Sequence, residues 1–183
     1  VTDEVIDTSP LDPIAKPLFD ELSIEYSTRY QDFHAMSPQV VRDELLTHPV
    51  ELFAPPEGAF ILIRREREVV GGGAYQRYDE TTAELKRIWV HSSVRRQGLA
   101  RRIVAELESR ALRHGYRRVY LTTGFRQPEA ASLYLGAGYA PLYDRAIATE
   151  VHWRLPFAKD LLAPGRTDSL RDLKPDGPLG KPF

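Results

Sequence analysis

The run Val94-Arg95-Arg96-Gln97-Gly98-Leu99-Ala100-Arg101-Arg102 sets four arginines around a glycine, just before a stretch of helix-spaced apolar residues. A helix N-terminus carries unpaired N–H groups and a partial positive charge, so each cation there costs about 0.3 to 1 kcal/mol unless an anion docks among them. The pattern therefore predicts a phosphate ligand. Gly98 would let the backbone approach that ligand closely, Ala100 would avoid crowding it, and amides at the helix start would donate to its oxygens. The alternative is a basic surface turn capped by solvent.

Two common phosphate devices are excluded by spacing. A nucleotide-hydrolysing loop of the form GxxxxGK[ST] has no counterpart here. A dinucleotide fingerprint needs GxGxxG opening a helix, whereas Gly71-Gly72-Gly73 lies within a hairpin-like strand and reads as a bulge or a position of close approach. Net charge is −1 with a pI near 6.6, which removes the uniform basic field of a nucleic-acid binder. The chain has no cysteine, hence no disulfide, thiolate metal site or cysteine nucleophile. His34, His48 and His91 show no metal-ligand spacing and read as ordinary loop histidines, so no metal is expected.

The elements that must position the arginine turn follow from periodicity. A short strand is expected near Val5, then two helices over 14–30 and 37–48, with Leu18, Leu22, Val41 and Leu45 at helical spacing. After Pro49, Pro55 and Pro56, AFILIRRE and VVGGGAYQRY predict a hairpin, and TTAELKRIWV a third strand. Leu99, Ile103, Val104, Leu107 and Ala111 share one face of a central helix that Gly115 ends. RRVYLTT is a strand, PEAASLYLG a short helix opened by Pro128, and 139–143 with 151–155 read as two closing strands. Strand, arginine turn, helix, strand makes a parallel βαβ unit after antiparallel hairpins, so the sheet is mixed.

With 183 residues, 42% hydrophobic and 28% charged, the chain reads as a single domain over 1–156. Residues 157–183, rich in proline and glycine, read as an extended tail or an arm on a partner subunit. The acidic N-terminal segment lacks a signal-peptide core, and no stretch approaches the roughly 20 apolar residues of a membrane span. A cytoplasmic protein with no membrane or nucleic-acid partner is expected.

ELKRIWVHSSVRRQGLARRIVAELE resembles the acetyl-CoA-binding segment of the GNAT N-acetyltransferase superfamily, with Arg95, Gly98 and Ala100 on its [RQ]-x-x-G-x-[GA] motif. Downstream, RRVYLTTGFRQPEAASLYLGAGYAPL resembles the next strand and the short helix ending in Leu-Tyr-x-x-x-Gly-Tyr, so the likeness covers about 60–156. It implies an α/β fold: a mixed, mostly antiparallel central sheet flanked by helices, with an acetyl-CoA-binding βαβ unit. It also implies that amides from Arg96 through Gln97, Gly98, Leu99 and Ala100 to Arg101 cradle a pyrophosphate. The strand edge Ile88, Trp89 and Val90 would then pair with the pantetheine arm as a pseudo-strand.

Without a cysteine or a GxSxG elbow no acyl-enzyme nucleophile is evident, so an amine would attack the thioester directly in a ternary complex. By the resemblance Tyr134 hydrogen-bonds the cofactor sulfur and serves as the acid, with Ala130 and Ala131 leaving room beside its ring. Glu84 resembles a strand glutamate used as a base, on the face that strict alternation would share with Lys86, Ile88 and Val90. A salt bridge to Lys86 or Arg87 is the competing role for Glu84. The backbone N–H near Val90 would stabilise the oxyanion, and Gln127 stands where relatives place an asparagine on pantetheine.

The implied acceptor side comprises Tyr26, Tyr30, Phe33, His34 and Met36, with Tyr75 and Tyr78 from the sheet and Glu25, Asp32 and Asp43 offering negative charge to a cationic amine. The resemblance points to acetyl transfer onto a primary amine of a small molecule, in a protein that could pair as a homodimer. A protein N-acetyltransferase and a weakly catalytic acyl-CoA-binding regulatory module are the alternatives.

Overall fold

The computed structural model describes residues 2–33 and 35–179. Its strands, β1 (Asp3–Asp7), β2 (Ala59–Arg65), β3 (Glu68–Arg77), β4 (Thr82–Val90), β5 (Arg118–Gly124), β6 (Ala140–Pro141) and β7 (Arg154–Asp160), are hydrogen-bonded in the order β1-β2-β3-β4-β5-β7-β6. β4 and β5 are parallel, whereas β1/β2, β2/β3, β5/β7 and β6/β7 are antiparallel, which is the mixed, mostly antiparallel sheet expected. Helices are α1 (Lys16–Arg29), α2 (Pro38–Leu46), α3 (Leu99–Arg113), α4 (Pro128–Gly136) and α5 (Thr149–His152). Contacts divide the chain into two compact units. One holds residues through Arg77 plus Leu85–Arg110, the other Tyr78–Glu84 plus residues from Ala111 on.

In the first unit, Leu18, Phe19 and Leu22 of α1 pack on Phe60 and Leu62 of β2, Ala74 of β3 and Trp89 of β4. Helical spacing on α1 meets alternate residues on the strands, so one apolar stripe faces one side of the sheet. The glycine triplet of β3 is where both sides close in. A Cβ on Gly72 would stand 2.9 Å from Leu18 Cδ1 of α1 and 2.8 Å from the Ile61 carbonyl oxygen. One on Gly73 would stand 3.0 Å from Ile103 Cγ2 and 3.1 Å from Leu107 Cδ1 of α3. The β2/β3 register also shifts between Ile63 and Arg64, so the triplet adjoins a bulge as well as permitting close approach.

β4 contains an irregularity that alternation did not predict. Arg87 has φ +58, a left-handed conformation in mid-strand that costs a non-glycine residue about 1–2 kcal/mol. Its guanidinium lies 4.5 Å from the Phe53 ring centroid and 5.5 Å from that of Phe19, and donates to the Leu45 carbonyl at the end of α2. Burial pushes its pKa down to about 10, with Tyr26 opposing. A left-handed residue interrupts the two-residue repeat, so the shared face assumed for Glu84, Lys86, Ile88 and Val90 does not carry across Arg87.

In the second unit, β5 pairs with β7 from Arg118/Asp160 to Gly124/Arg154. Two segments differ from expectation. Residues 139–143 contribute only the two-residue β6, and 149–152 form a helical turn, so β7 starts at Arg154 and runs past Pro156 to Asp160. The segment beyond is folded: a 3-10 turn, Asp168–Leu173, buries Leu170 and Leu173 against Tyr120, Leu142 and Ala158. Asp160 anchors it, accepting from the Leu162 and Ala163 amides, each at 2.9 Å, and from the Ser169 hydroxyl. Those hydrogen bonds, Ser169 first, hold the Asp160 carboxyl below its usual range against the opposing effect of burial. Arg118 adds bonds to the Ser169 carbonyl at 2.9 Å and Asp172 at 2.7 Å.

Candidate functional site

The arginine turn is reached from β4 through a capped 3-10 turn, Ser92–Val94. The His91 amide donates to the Val70 carbonyl of β3 at 2.9 Å, so by alternation the N–H and C=O of Val90 and Ile88 point to the opposite edge. Those are the backbone groups expected to meet the pantetheine arm. Trp89 offers nothing there: by the same alternation its backbone faces β3, and its side chain is core, with the indole N–H donating to Glu21 at 3.0 Å. Ile88 packs toward Gly73, and Leu99 is buried.

After Arg95, extended at φ −62 and ψ 161, the chain turns through Arg96 at φ +62 and Gly98 at φ +79 into α3. The left-handed conformation accounts for glycine at 98, and a Cβ there would meet nothing within 4 Å. A hydrogen bond from the Arg102 amide to the Gly98 carbonyl at 3.1 Å opens α3, so the amides of Leu99 and Ala100 at its start have no intrahelical acceptor. Left-handed residues leading into a helix start, with open space at Gly98, are a backbone arrangement that fits a pyrophosphate. Arg96 makes no ion pair among the described residues.

Not all four arginines wait for a ligand. Arg102 is 3.4 Å from Asp3 and also donates to the Asp3 carbonyl at 3.2 Å, while Arg65 makes two bonds to the same carboxylate and one, at 2.9 Å, to Gln97 Oε1. Arg95 pairs with Glu25 at 3.0 Å and Glu21 at 3.9 Å, and its Nε donates to the Val90 carbonyl at 3.2 Å. Acids on β1 and α1 thus meet part of the charge that the sequence pattern assigns to phosphate.

Glu21 is the residue that sequence reasoning missed. Its carboxylate accepts from the Ser92 hydroxyl at 2.8 Å, the Ser92 amide at 3.1 Å and the Trp89 indole, and lies 3.4 Å from His91 Nε2. Burial raises its pKa, but the bonds from Ser92 and Trp89 and the nearby His91 outweigh that and hold it below the ordinary 4.5. His91 caps the 3-10 turn through its ring nitrogen. Glu21 and Glu25 are four residues apart on one helix, a pattern that sequence alone cannot tell from a solvated face. With Ile24, Thr28, Arg29, Ser92 and Arg95 they line a cleft of about 380 Å³.

In the second unit Glu84 ends the parallel ladder, opposite Tyr120, and the rings of Tyr78 and Tyr120 are 4.8 Å apart. Burial, with smaller contributions from Tyr78 and Glu84, pushes the Tyr120 phenol up to about 12. Arg87, one expected salt-bridge partner for Glu84, is engaged instead by Phe53, Phe19 and Leu45. Tyr134, on α4, is buried, its ring 5.6 Å from Tyr139 and 5.8 Å from Phe157. Gln127 turns its Oε1 back to the Gly124 amide at 3.1 Å and the Thr123 hydroxyl at 3.2 Å, closing the β5–α4 turn. That leaves Nε2 as its means of contacting a ligand.

Of the residues assigned to the acceptor side, Tyr26 packs against the first unit's core, Tyr75 is wholly buried, Phe33 and Tyr78 are exposed, and Asp43 bonds Gln39. His34 lies outside the described residues. Among the described residues no group of acidic and histidine side chains could hold a metal ion, and no helix is long and apolar enough to cross a membrane.

The sequence pattern of the acetyltransferase (GNAT) family matches residues 18–139. An Escherichia coli (strain K12) protein described as the uncharacterized N-acetyltransferase YjgM is 28% identical over 102 residues. The match takes in 54% of this chain and only 61% of that protein. Among solved structures, the PaiA N-acetyltransferase of Thermoplasma acidophilum, in complex with coenzyme A, superposes with a TM-score of 0.66 at 14% identity, over 87% of this chain and 99% of that one. An acetyltransferase from Streptococcus agalactiae superposes with a TM-score of 0.65 at 16% identity, over 86% and 98% respectively. These structural likenesses bear on the fold.

Proposed function

This chain belongs to the acetyltransferase (GNAT) family, and from that premise we propose that it is an acetyl-CoA-dependent N-acetyltransferase acting on a primary amine of a small molecule. The observation that carries the reading is the left-handed turn through Arg96 and Gly98 into the start of α3, with open space where a Gly98 Cβ would stand, an arrangement that suits a pyrophosphate. Amides from Arg96 to Arg101 and the Arg96 guanidinium hold the phosphates. The edge groups of Ile88 and Val90 pair with the pantetheine amides, and Gln127 Nε2 adds a donor. When bound, the thioester supplies an activated acetyl carbonyl.

The chain's own residues then have three tasks. The Val90 N–H donates to the carbonyl oxygen as negative charge develops on it. Tyr134 donates its phenolic proton to the departing sulfur, since a phenol, ordinarily near pKa about 10, suits a thiolate better as donor than as base. Glu84 accepts the proton that the acceptor ammonium must lose, through a water. With no cysteine in the chain, the amine attacks directly.

The test is acetyl-CoA binding by calorimetry together with thiol release in the presence of a panel of small amines. Binding with release stimulated by at least one amine is expected. No binding would sink the reading, and binding that no amine or peptide N-terminus converts to release would make the chain a CoA-binding module.

A further inference from the structure

Arg95 opens the family's motif, yet its side chain is spent inside the first unit. It spans 3.0 Å to Glu25 and 3.9 Å to Glu21, and its Nε covers the Val90 carbonyl at 3.2 Å. That carbonyl lies on the strand edge pointing away from β3, so the arginine sits on a group that an arm pairing with this edge would need. Its side chain is 45% exposed and that of Glu25 19%, so the cation is the accessible, replaceable half of the pair. Arg29 stands 3.2 Å from Glu25 and remains to neutralise it when Arg95 departs.

We propose that Arg95 is an exchange residue: it occupies the Val90 edge and the Glu21–Glu25 carboxylates in the free protein, and moves to the cofactor phosphate when the edge is taken. The proposal rests on the reading that the chain binds a CoA thioester. The exchange trades a part-exposed ion pair for a charge-assisted contact with a doubly charged pyrophosphate, which is the stronger partner. It also changes the cleft lined by Glu21, Ile24, Glu25, Thr28, Arg29, Ser92 and Arg95, removing one of its two guanidiniums. The cleft thereby becomes more acidic only after the cofactor is seated.

The experiment is a double-variant cycle read by CoA affinity in calorimetry, using Glu25→Gln, Arg95→Gln and both together. Glu25→Gln removes the competitor for Arg95, so CoA should bind about two- to fivefold more tightly, the range set by the modest worth of a part-exposed ion pair. In the Arg95→Gln background the same change should have no effect. If Glu25→Gln tightens binding equally in both backgrounds, the carboxylate merely repels phosphate and the exchange is refuted. If Glu25→Gln weakens binding or leaves it unchanged in the wild-type background, Glu25 instead holds Arg95 ready or is irrelevant, and the exchange is again refuted. A wild-type chain that does not bind CoA would overturn the functional reading itself, a distinct result from CoA binding without the cycle's signature.

Discussion

Replacing Arg87 by alanine and, in parallel, by glycine separates what its side chain contributes from what its backbone costs. Both changes remove a charged hydrogen bond to the Leu45 carbonyl, of order 1.5–3 kcal/mol, and the attraction to the Phe53 and Phe19 rings, about 0.5–2 kcal/mol. Both also relieve the burial of a cation, the cause of its lowered pKa, so the net loss common to the two is about 2 kcal/mol. They differ in the backbone. At φ +58 alanine keeps a penalty of about 1–2 kcal/mol that glycine escapes, while glycine loses about 0.5–1 kcal/mol through its greater freedom when unfolded. Arg87→Gly should therefore be the more stable by about 0.5–1 kcal/mol, the reverse of the usual order in a strand. Urea denaturation reads this as a midpoint higher by roughly 0.3–0.5 M for a slope of about 2 kcal/mol/M. An alanine variant at least as stable as the glycine variant would refute the reasoning.

Gly98→Glu should leave a folded domain weakened by about 1–2 kcal/mol, because a non-glycine residue must adopt φ +79, while CoA binding measured by calorimetry disappears; retained binding would remove the turn from the cofactor site. Tyr134→Phe should lower kcat at least tenfold with little change in acetyl-CoA affinity, and unchanged turnover would end its role as acid. Gly72→Ala should destabilise by about 1–3 kcal/mol in thermal unfolding, since one atom its Cβ would meet at 2.8 Å is a backbone oxygen that cannot rotate away. Glu21, whose folded pKa lies below 4.5, contributes stability above the ordinary carboxylate range that is lost as pH falls through the folded value. The stability gap between wild type and Glu21→Gln should therefore close on acidification below about pH 4, and a gap constant from pH 7 to 3 would contradict the assignment.

Local signals served well where one residue decides an element. Pro128 and Gly136 bound α4 as read, because proline suits a first helical turn and lacks the amide that an interior position needs. The glycine triplet was legible as close approach because few other reasons put three glycines in a strand. Misses came where distant partners decide. Val151 and Trp153 have strand-like side chains, but 149–152 close a helical turn and Trp153 takes φ +58 before β7 begins. Leu170 and Leu173 carry no diagnostic period, and only burial against Tyr120 and Ala158 makes their segment part of a core. At the site, the arginine turn and the edge before it were visible in the motif. The pairing of Arg95 with Glu25 was not, because it joins residues seventy positions apart, and Arg87 contains nothing that marks a left-handed break.

The glycine strand has a consequence for how such a chain can change over generations. At positions 72 and 73 β3 contributes backbone and almost no side-chain thickness, so Leu18 of α1 and Ile103 with Leu107 of α3 are fitted against the same ribbon from opposite sides. Bulk there is a shared quantity. A relative carrying alanine at the place of Gly73 should carry a smaller residue at that of Ile88, Ile103 or Leu107, whereas alanine for Gly72 also meets the Ile61 carbonyl oxygen, which no smaller side chain at Leu18 or Leu62 removes. Substitutions far apart along the chain are thus expected to be inherited in pairs, and a single enlargement without its partner should be rare among surviving sequences.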